Sequence, residues 1–152
     1  MTSIQKFFLF LLRITTGWMF FYAGITKVLD PQWSAEGYLK GAKSFVWLFQ
    51  ILLDPNILPI INFTNKWGLT LLGVSLILGL FVRFSSLLGV LLMALYYMAL
   101  SFPHPNPNAY IVDQHIIYIS ILLFFASIRA GRVFGIDGKL THHHSGFKKW
   151  LG

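Results

Sequence analysis

The residue types best suited to proton chemistry stand close together in the stretch DQHIIY, in the last third of the chain. Asp113, His115 and Tyr118 would fall within the first two turns of a helix beginning there. An unperturbed histidine has a pKa of about 6.5 and can exchange a proton near neutral pH. We therefore predict that His115 is a catalytic acid or base, assisted by Asp113 and Tyr118.

The same residues also have a structural explanation. Asp113 could cap the helix that begins beside it, because a carboxylate accepts hydrogen bonds from free N–H groups and is favoured by the helix dipole. His115 would then be a hydrogen-bonded residue at a membrane interface. The sequence leaves both explanations open.

Other polar side chains at the same end of the predicted helices could bind a substrate. The lysines could instead extend to lipid headgroups, and paired tyrosines are typical of an interfacial aromatic belt. Because adjacent helical residues diverge by about 100°, one tyrosine of the pair should face inward. The predicted binding residues are Lys27, Lys66, Tyr96, Tyr97 and His104.

The composition is that of a membrane protein. Of the 152 residues, 56% are hydrophobic and 11% are charged, whereas soluble domains carry about 25% charged residues. Apolar runs of roughly 20 residues suit a ~30 Å hydrocarbon core, where a helix satisfies its own backbone. We predict one all-α domain, an integral membrane four-helix bundle over residues 1–152, with spans at about 7–28, 67–82, 86–102 and 111–128.

Residues 34–53, between the first two predicted spans, have a pattern of their own. Polar residues recur every three or four positions opposite an aromatic and aliphatic face, which predicts one amphipathic helix in the membrane interface. A lid over a binding site is the alternative. The polar stripe is Glu36, Lys40, Lys43, Trp47, Gln50 and Asp54; the opposite face is Tyr38, Phe45, Leu48, Phe49 and Leu52.

Several kinds of site are excluded or disfavoured. The chain has no cysteine, which rules out disulfides, thiolate nucleophiles and cysteine-ligated iron–sulfur clusters within it. Only His115 lies near a span, so neither a haem nor a metal site is expected, and the histidines of THHHSG (141–146) are interpreted as incidental. The net charge of +7 is assigned to contacts with anionic lipid rather than nucleic acid.

The distribution of basic residues predicts the orientation. Eight lysines and arginines fall on the side of the termini and four on the other, which predicts a plasma-membrane protein with both termini in the cytoplasm. The eight are Lys6, Arg13, Arg83, Arg129, Arg132, Lys139, Lys148 and Lys149; the four are Lys27, Lys40, Lys43 and Lys66.

Arg13 interrupts the first apolar run. It shares a face with Gly17 and Gly24, which should pack against another helix, although its side chain could also extend to the headgroups. The predicted partners are backbone carbonyls, a lipid phosphate or Asp137, the acidic residue on the same side. Arg13 and Arg83 are therefore predicted to be structural charges; packing is also the prediction for the glycines of the second span, Gly68, Gly73 and Gly79.

Three stretches together resemble the DoxX/DoxD family of small four-helix prokaryotic membrane proteins. They are LRITTGWMFFYAGITKVLDP, LLGVSLILGLFVRFSSLLG and DQHIIY…RAGRVFGIDGKL, and the positions that match the family pattern are Arg13, Lys27, Arg83 and His115. The resemblance implies the membrane subunit of a quinone-linked oxidoreductase, with quinone as substrate and other subunits as partners. Leu69 and Thr70 depart from the pattern, because many relatives have an acidic residue there.

Two functions remain open at this point. In the first, the chain oxidises thiosulfate or a similar small anion at the outer face: Lys27 and Lys66 attract the anion, His115 protonates the quinone, and Tyr118 or Asp113 orients it. In the second, the chain is a non-catalytic accessory or assembly subunit of a larger respiratory or oxidase-type membrane complex. A small transporter has less support, since no span is visibly broken at its midplane.

Overall fold

The computed structural model describes residues 1–101 and 109–143, with side chains described as far as residue 140. The chain is 76% helical, and the described residues contain no β-strand. The helices are α1 (Ser3–Leu29), α2 (Glu36–Lys40), α3 (Val46–Leu52), α4 (Leu58–Leu78), α5 (Val82–Ala99), α6 (Gln114–Ile128) and α7 (Ile136–His143), with a 3₁₀ turn at Ala130–Arg132.

The long helices occupy the predicted spans with shifted ends. α4 begins at Leu58 instead of about residue 67, because Pro59 lies in its first turn, where a missing N–H breaks no hydrogen bond. It ends at Gly79, whose φ of +68° is easy only for glycine. Within the described residues, α1 and α5 are long and apolar enough to cross a membrane, whereas the apolar α6 has 15 residues.

The prediction of a single amphipathic helix over residues 34–53 is wrong. α2 and α3 are separate short helices, and the chain turns between them at Phe45, which has a left-handed φ of 50°. The backbone N–H of Lys43 donates to the carbonyl of Ala99 at 2.9 Å and so ties this turn to the end of α5. Leu39 and Phe49 are buried in a small core with Ala99, so the segment covers the ends of the long helices.

Helices α1 and α4 pack backbone to backbone through glycines. A Cβ on Gly24 would overlap the backbone nitrogen of Thr70, and one on Gly73 would overlap that of Phe21. Small residues allow helix axes to approach this closely. Gly68 has nothing within 4 Å of where its Cβ would be, so the prediction that it packs against a neighbouring helix is wrong.

The other close pairing joins α5 to α6, where Met93, Leu122 and Phe125 are buried together. α4 and α5 are in contact near Gly89, where a Cβ would meet Leu72 as well as Leu122. Elsewhere these two helices leave an apolar groove of about 520 Å³ between them.

Arg13 is fully buried, 0% exposed, and this rules out extension of its side chain to headgroups. Its Nη1 donates to the carbonyls of Ala130 at 2.6 Å and Val133 at 2.9 Å, and Nη2 donates to that of Phe134 at 3.3 Å. Backbone carbonyls are therefore its hydrogen-bond partners. They come from the 3₁₀ turn after α6 and the residues that follow it; the carbonyl of Ala130 also accepts from the backbone N–H of Val133 at 3.2 Å.

Asp137 makes the complementary contacts in the same region. Its carboxylate accepts from the backbone N–H groups of Phe81 at 2.8 Å and Val82 at 3.1 Å, and its own N–H donates to the carbonyl of Gly79 at 2.9 Å. Asp137 thus caps the turn between α4 and α5. We call Arg13, Asp137 and the backbone groups that they bind the clasp; it joins α1, the α4–α5 turn and the chain after α6.

We predict that Arg13→Gln lowers the free energy of unfolding by about 3 kcal/mol or more, because the buried guanidinium's hydrogen bonds to the carbonyls of Ala130, Val133 and Phe134 are lost. Arg83→Gln is the matched control, since Arg83 is an arginine in the first turn of α5 that is only half-buried. It should change stability by less than about 0.5 kcal/mol. Equilibrium unfolding in mixed micelles measures both, and similar losses would contradict the assignment of the clasp.

Two glycines of α4 provide a second comparison. Gly73→Ala should destabilise the protein by about 1–3 kcal/mol, because its methyl group would overlap α1. Gly68→Ala should be neutral or stabilising by up to about 1 kcal/mol, since alanine favours a helix and the space beside it is open. The same unfolding measurement applies, and an equal effect at both positions would refute backbone contact between α1 and α4.

Candidate functional site

A cavity of about 420 Å³ lies at the end of the molecule opposite the clasp. α2 and α3 form one wall, and the ends of α1, α4 and α5 form the others. The segment between α1 and α4 thus covers the cavity, and we call it the lid. Most of the lining is apolar. The polar side chains that line the cavity are Lys27, Ser34, Tyr38, Thr64, Asn65 and Tyr96.

Three of these side chains, one each from α1, α4 and α5, are connected. The Nζ of Lys27 lies 3.4 Å from Oδ1 of Asn65, and the Nδ2 of Asn65 donates to the hydroxyl oxygen of Tyr96. Asn65 is only 7% exposed. The ammonium of Lys27 also lies over the rings of Trp33, at 5.2 Å, and Tyr96, at 5.9 Å, where the aromatic faces attract a cation.

Tyr38 fastens the lid to α5. Its hydroxyl donates to the backbone carbonyl of Tyr96 at 2.7 Å, and the two rings meet edge to face with centroids 5.2 Å apart. Burial, followed by the nearby Tyr96 and Asp113, raises the pKa of Tyr38 to about 12. Tyr38 therefore stays protonated and keeps this hydrogen bond throughout the physiological pH range.

Asp113 caps α6, as one of the two sequence-based explanations expected, and it also contacts the His115 side chain. It caps α6, since Oδ1 accepts from the N–H groups of His115 at 3.0 Å and Ile116 at 3.2 Å. Its Oδ2 lies 2.6 Å from Nδ1 of His115. Burial raises the pKa of Asp113, but the hydrogen bonds from the His115 side chain and the backbone outweigh it and hold the pKa below its ordinary value. The carboxylate thus favours the tautomer or ion with a proton on Nδ1.

The predicted catalytic residues lie behind the cavity wall. The ring of His115 packs against that of Tyr96 with centroids 5.8 Å apart, and Tyr118 packs edge-on against Phe20 at 5.6 Å. Neither Asp113, His115 nor Tyr118 lines the cavity. The structure therefore joins His115 to Asp113 as expected, but places Tyr96 between His115 and the cavity.

The predicted binding residues separate into three groups. Lys27 and Tyr96 line the cavity, whereas Tyr97 is buried and donates to the carbonyl of Ile111 at 2.8 Å. Lys66 lies outside the cavity: its Nζ is 3.4 Å from the carbonyl of Asp30 and 5.5 Å from the centre of the Trp33 ring. His104 and the side chains of the THHHSG stretch lie outside the described residues, and the described part of the chain contains no cluster of three metal-ligating side chains.

Three contributors to the site were not predicted as such: Trp33, Tyr38 and Asn65. Asn65 could have been found from the sequence, since a polar amide next to an apolar run usually needs a hydrogen-bond partner. It was missed because the second span was predicted to begin at residue 67, two residues after it. Tyr38 was assigned to a membrane-facing surface. Nothing in the sequence distinguished Trp33 from the other tryptophans.

Comparison with known proteins gives one match. A model of the DoxX family matches residues 8–102 of this chain, from the first turns of α1 to just beyond α5. The match includes every residue that lines the cavity and ends before Asp113 and His115. No curated protein and no solved structure matches the chain.

Asp113→Ala should lower the free energy of unfolding at pH 5 by about 0.5–2 kcal/mol, because α6 loses its cap. The pKa of Asp113 is depressed in the folded state, so its contribution is complete above the ordinary value of 3.8 and is lost as the pH falls through the lower folded value. The difference between wild type and variant should therefore shrink from pH 5 to pH 3.

Unfolding curves at several pH values provide the measurement. Asp54→Ala, which removes an exposed carboxylate that accepts from the N–H of Asn56 at 2.8 Å, is the control. A difference for Asp113→Ala that grew on acidification would contradict the depressed pKa.

Proposed function

The chain belongs to the DoxX family, and we propose that it is the membrane subunit of a quinone-linked oxidoreductase whose cavity binds the quinone head group. Membership of the family indicates a membrane-associated, oxidoreductase-related subunit. The quinone, and the oxidation of thiosulfate or a similar small anion, are the additional elements of the proposal.

The observation that carries the proposal is the continuity between the polar cavity and the apolar groove. Thr64, Leu92 and Leu95 line both, so one continuous surface runs from Lys27 and Tyr96 to the side chains between α4 and α5. This form suits an amphiphile with a polar ring and a long apolar chain. The cavity volume of about 420 Å³ falls in the range of about 300–1,000 Å³ that is typical of ligand pockets.

The proposal places α1, α4, α5 and α6 across the plasma membrane as a four-helix bundle. Both termini and the clasp lie on the cytoplasmic side, and the cavity lies near the outer surface, in keeping with the excess of basic residues at the clasp end. Large apolar side chains that α1 exposes would contact lipid chains; they include Phe7, Phe8, Leu11 and Trp18.

The cavity residues bind and orient the head group in this proposal. A bound quinone supplies a two-electron acceptor that also takes up two protons. Lys27 and the hydroxyl of Tyr96 donate hydrogen bonds to its oxygens, and the lid excludes water. His115, with a proton held at Nδ1 by Asp113, lies one ring further from the cavity. We therefore assign it to proton exchange with the outer aqueous phase rather than to contact with the ligand.

The electrons come from a donor outside the chain. Two molecules of thiosulfate yield tetrathionate and two electrons, which balances the reduction of one quinone. Lys27 and Lys66 both lie against the Trp33 ring, and within the described residues neither ammonium has a carboxylate within 4 Å. They would attract such an anion. A partner subunit that carries a redox cofactor could deliver the electrons instead.

The second candidate is a non-catalytic accessory subunit of a larger membrane complex. The position of His115 favours it, because a residue that braces Tyr96 and α6 without lining the cavity can serve a purely structural purpose. In that case the exposed aromatic side chains of α1 and α3 would be docking surfaces for other subunits.

Binding of decylubiquinone to the full chain in lipid nanodiscs tests the proposal. Lys27→Met should weaken binding by about tenfold or more, the equivalent of one charged hydrogen bond. Lys6→Met, at the exposed start of α1, should leave binding unchanged. A wild-type protein that binds no quinone would refute the proposal. His115→Ala that abolishes co-purification of the other subunits, while the variant chain still binds decylubiquinone like wild type, would establish the accessory role.

A further inference from the structure

We infer that Lys27, Asn65 and Tyr96, which we call the relay, give the cavity a fixed hydrogen-bond polarity. The relay offers a donor to the ligand, so the cavity selects head groups with a hydrogen-bond acceptor, such as a carbonyl, over head groups with a hydroxyl. This polarity deepens the proposed function and rests on it for the identity of the natural ligand. In those terms, the site prefers quinone to quinol.

The polarity originates at Lys27. An ammonium group has three donors and no acceptor, and the Nζ of Lys27 lies 3.4 Å from the amide oxygen of Asn65. The distance is long for a hydrogen bond, but the positive charge still orients the amide dipole in a site where Asn65 is 7% exposed. A flipped amide would turn its NH₂ group towards the ammonium, with donors facing donors. Lys27 therefore fixes the orientation of Asn65.

The orientation of the Asn65 amide determines how the hydroxyl of Tyr96 is used. With its oxygen turned to Lys27, Asn65 presents its NH₂ group to Tyr96, and an amide nitrogen can only donate. The hydroxyl oxygen of Tyr96 is therefore an acceptor in this contact, and its proton must point elsewhere. Within residues 1–101 and 109–143, no acceptor for that proton lies within hydrogen-bond distance, and Tyr96 lines the cavity.

The rest of the cavity lining does not reverse this polarity. No carboxylate lines the cavity. The proton of Tyr38 is used by the carbonyl of Tyr96, and the amide oxygen of Asn65 by Lys27. Ser34 lies within hydrogen-bond distance of Asn62, and the hydroxyl of Thr64 can donate or accept and so favours neither kind of head group. A ligand hydroxyl could accept from Tyr96, but its own proton would then find only neutral hydroxyl oxygens as acceptors, a weaker arrangement than the donors offered to a carbonyl.

The polarity has a direct consequence for turnover. A reduced ring has two hydroxyl groups where the oxidised ring has two carbonyls, so the relay stabilises the substrate more than the product. If the quinone makes one more hydrogen bond to the protein than the quinol does, its affinity is higher by about tenfold. Preferential binding of the oxidised form would favour release of the quinol into the bilayer.

The test compares two pairs of ligands with the full chain in lipid nanodiscs. The first pair is decylubiquinone and its quinol, measured without oxygen. The second is 4-decylacetophenone and 4-decylphenol, which differ in hydrogen-bond polarity and undergo no redox chemistry under these conditions. Wild type should bind the carbonyl compound of each pair about tenfold more tightly.

Asn65→Asp should remove or invert the preference, because a carboxylate accepts from both Lys27 and Tyr96 and so turns the hydroxyl proton of Tyr96 away from the ligand. Tyr96→Phe should abolish it while the ring contacts to His115 and Tyr38 remain. Asn62→Asp makes the same change one turn away on α4, at a residue that does not line the cavity, and should retain the preference. Thermal unfolding identifies any variant that does not fold.

Each outcome separates the polarity from the proposed function. Equal binding of both members of each pair, or a preference that survives Asn65→Asp and Tyr96→Phe, would overturn the polarity and leave quinone binding intact. A preference for the ketone over the phenol without any quinone binding would support the polarity and refute the proposed function. Failure to bind all four compounds would refute both.

Discussion

The arrangement of the long helices depends on how the chain accommodates the buried guanidinium of Arg13. Removing a charge from water is strongly unfavourable unless hydrogen bonds replace the lost hydration, and here three carbonyls after α6 do so. Asp137, in the same stretch, binds the α4–α5 turn. One end of each of α1, α4, α5 and α6 is thereby held. Lys27 lies on the same helix as Arg13, roughly 21 Å further along at 1.5 Å per residue. Because a helix is rigid, holding Arg13 in the clasp also sets the side of α1 on which Lys27 lies.

At the opposite end of the molecule, hydrogen-bond donors rather than pairs of opposite charges surround the cavity. Within the described residues, Lys40 pairs with Glu36 and the His115 ring contacts the Asp113 carboxylate; none of these four residues lines the cavity. Lys27 instead contacts the Asn65 amide and the rings of Trp33 and Tyr96. The two ends thus place their cations differently: Arg13 binds the protein's own backbone, whereas Lys27 lines the cavity.

Sequence reasoning was most successful where a single physical cause dominates. Apolar runs located the long helices, and the scarcity of acidic residues on the same side left backbone carbonyls among three candidate partners for Arg13. Prediction from the sequence was less successful where tertiary packing determines the local structure. The left-handed Phe45 divides α2 from α3, and Gly68 faces a groove although Gly73, on the same helix, meets α1. The sequence pattern placed His115 at the end of the molecule that carries the cavity. It could not show that the ring of Tyr96 lies between His115 and the cavity.

The groove between α4 and α5 bears on how a ligand would arrive. The lid is fastened to α5 by Tyr38 and by the backbone of Lys43, whereas the groove merges with the cavity from the side. An amphiphile would then enter by lateral diffusion within one leaflet rather than from water. Occupancy would follow the partition coefficient of the ligand and its mole fraction in the lipid, so lengthening its apolar chain would raise the local concentration without any new contact to the head group.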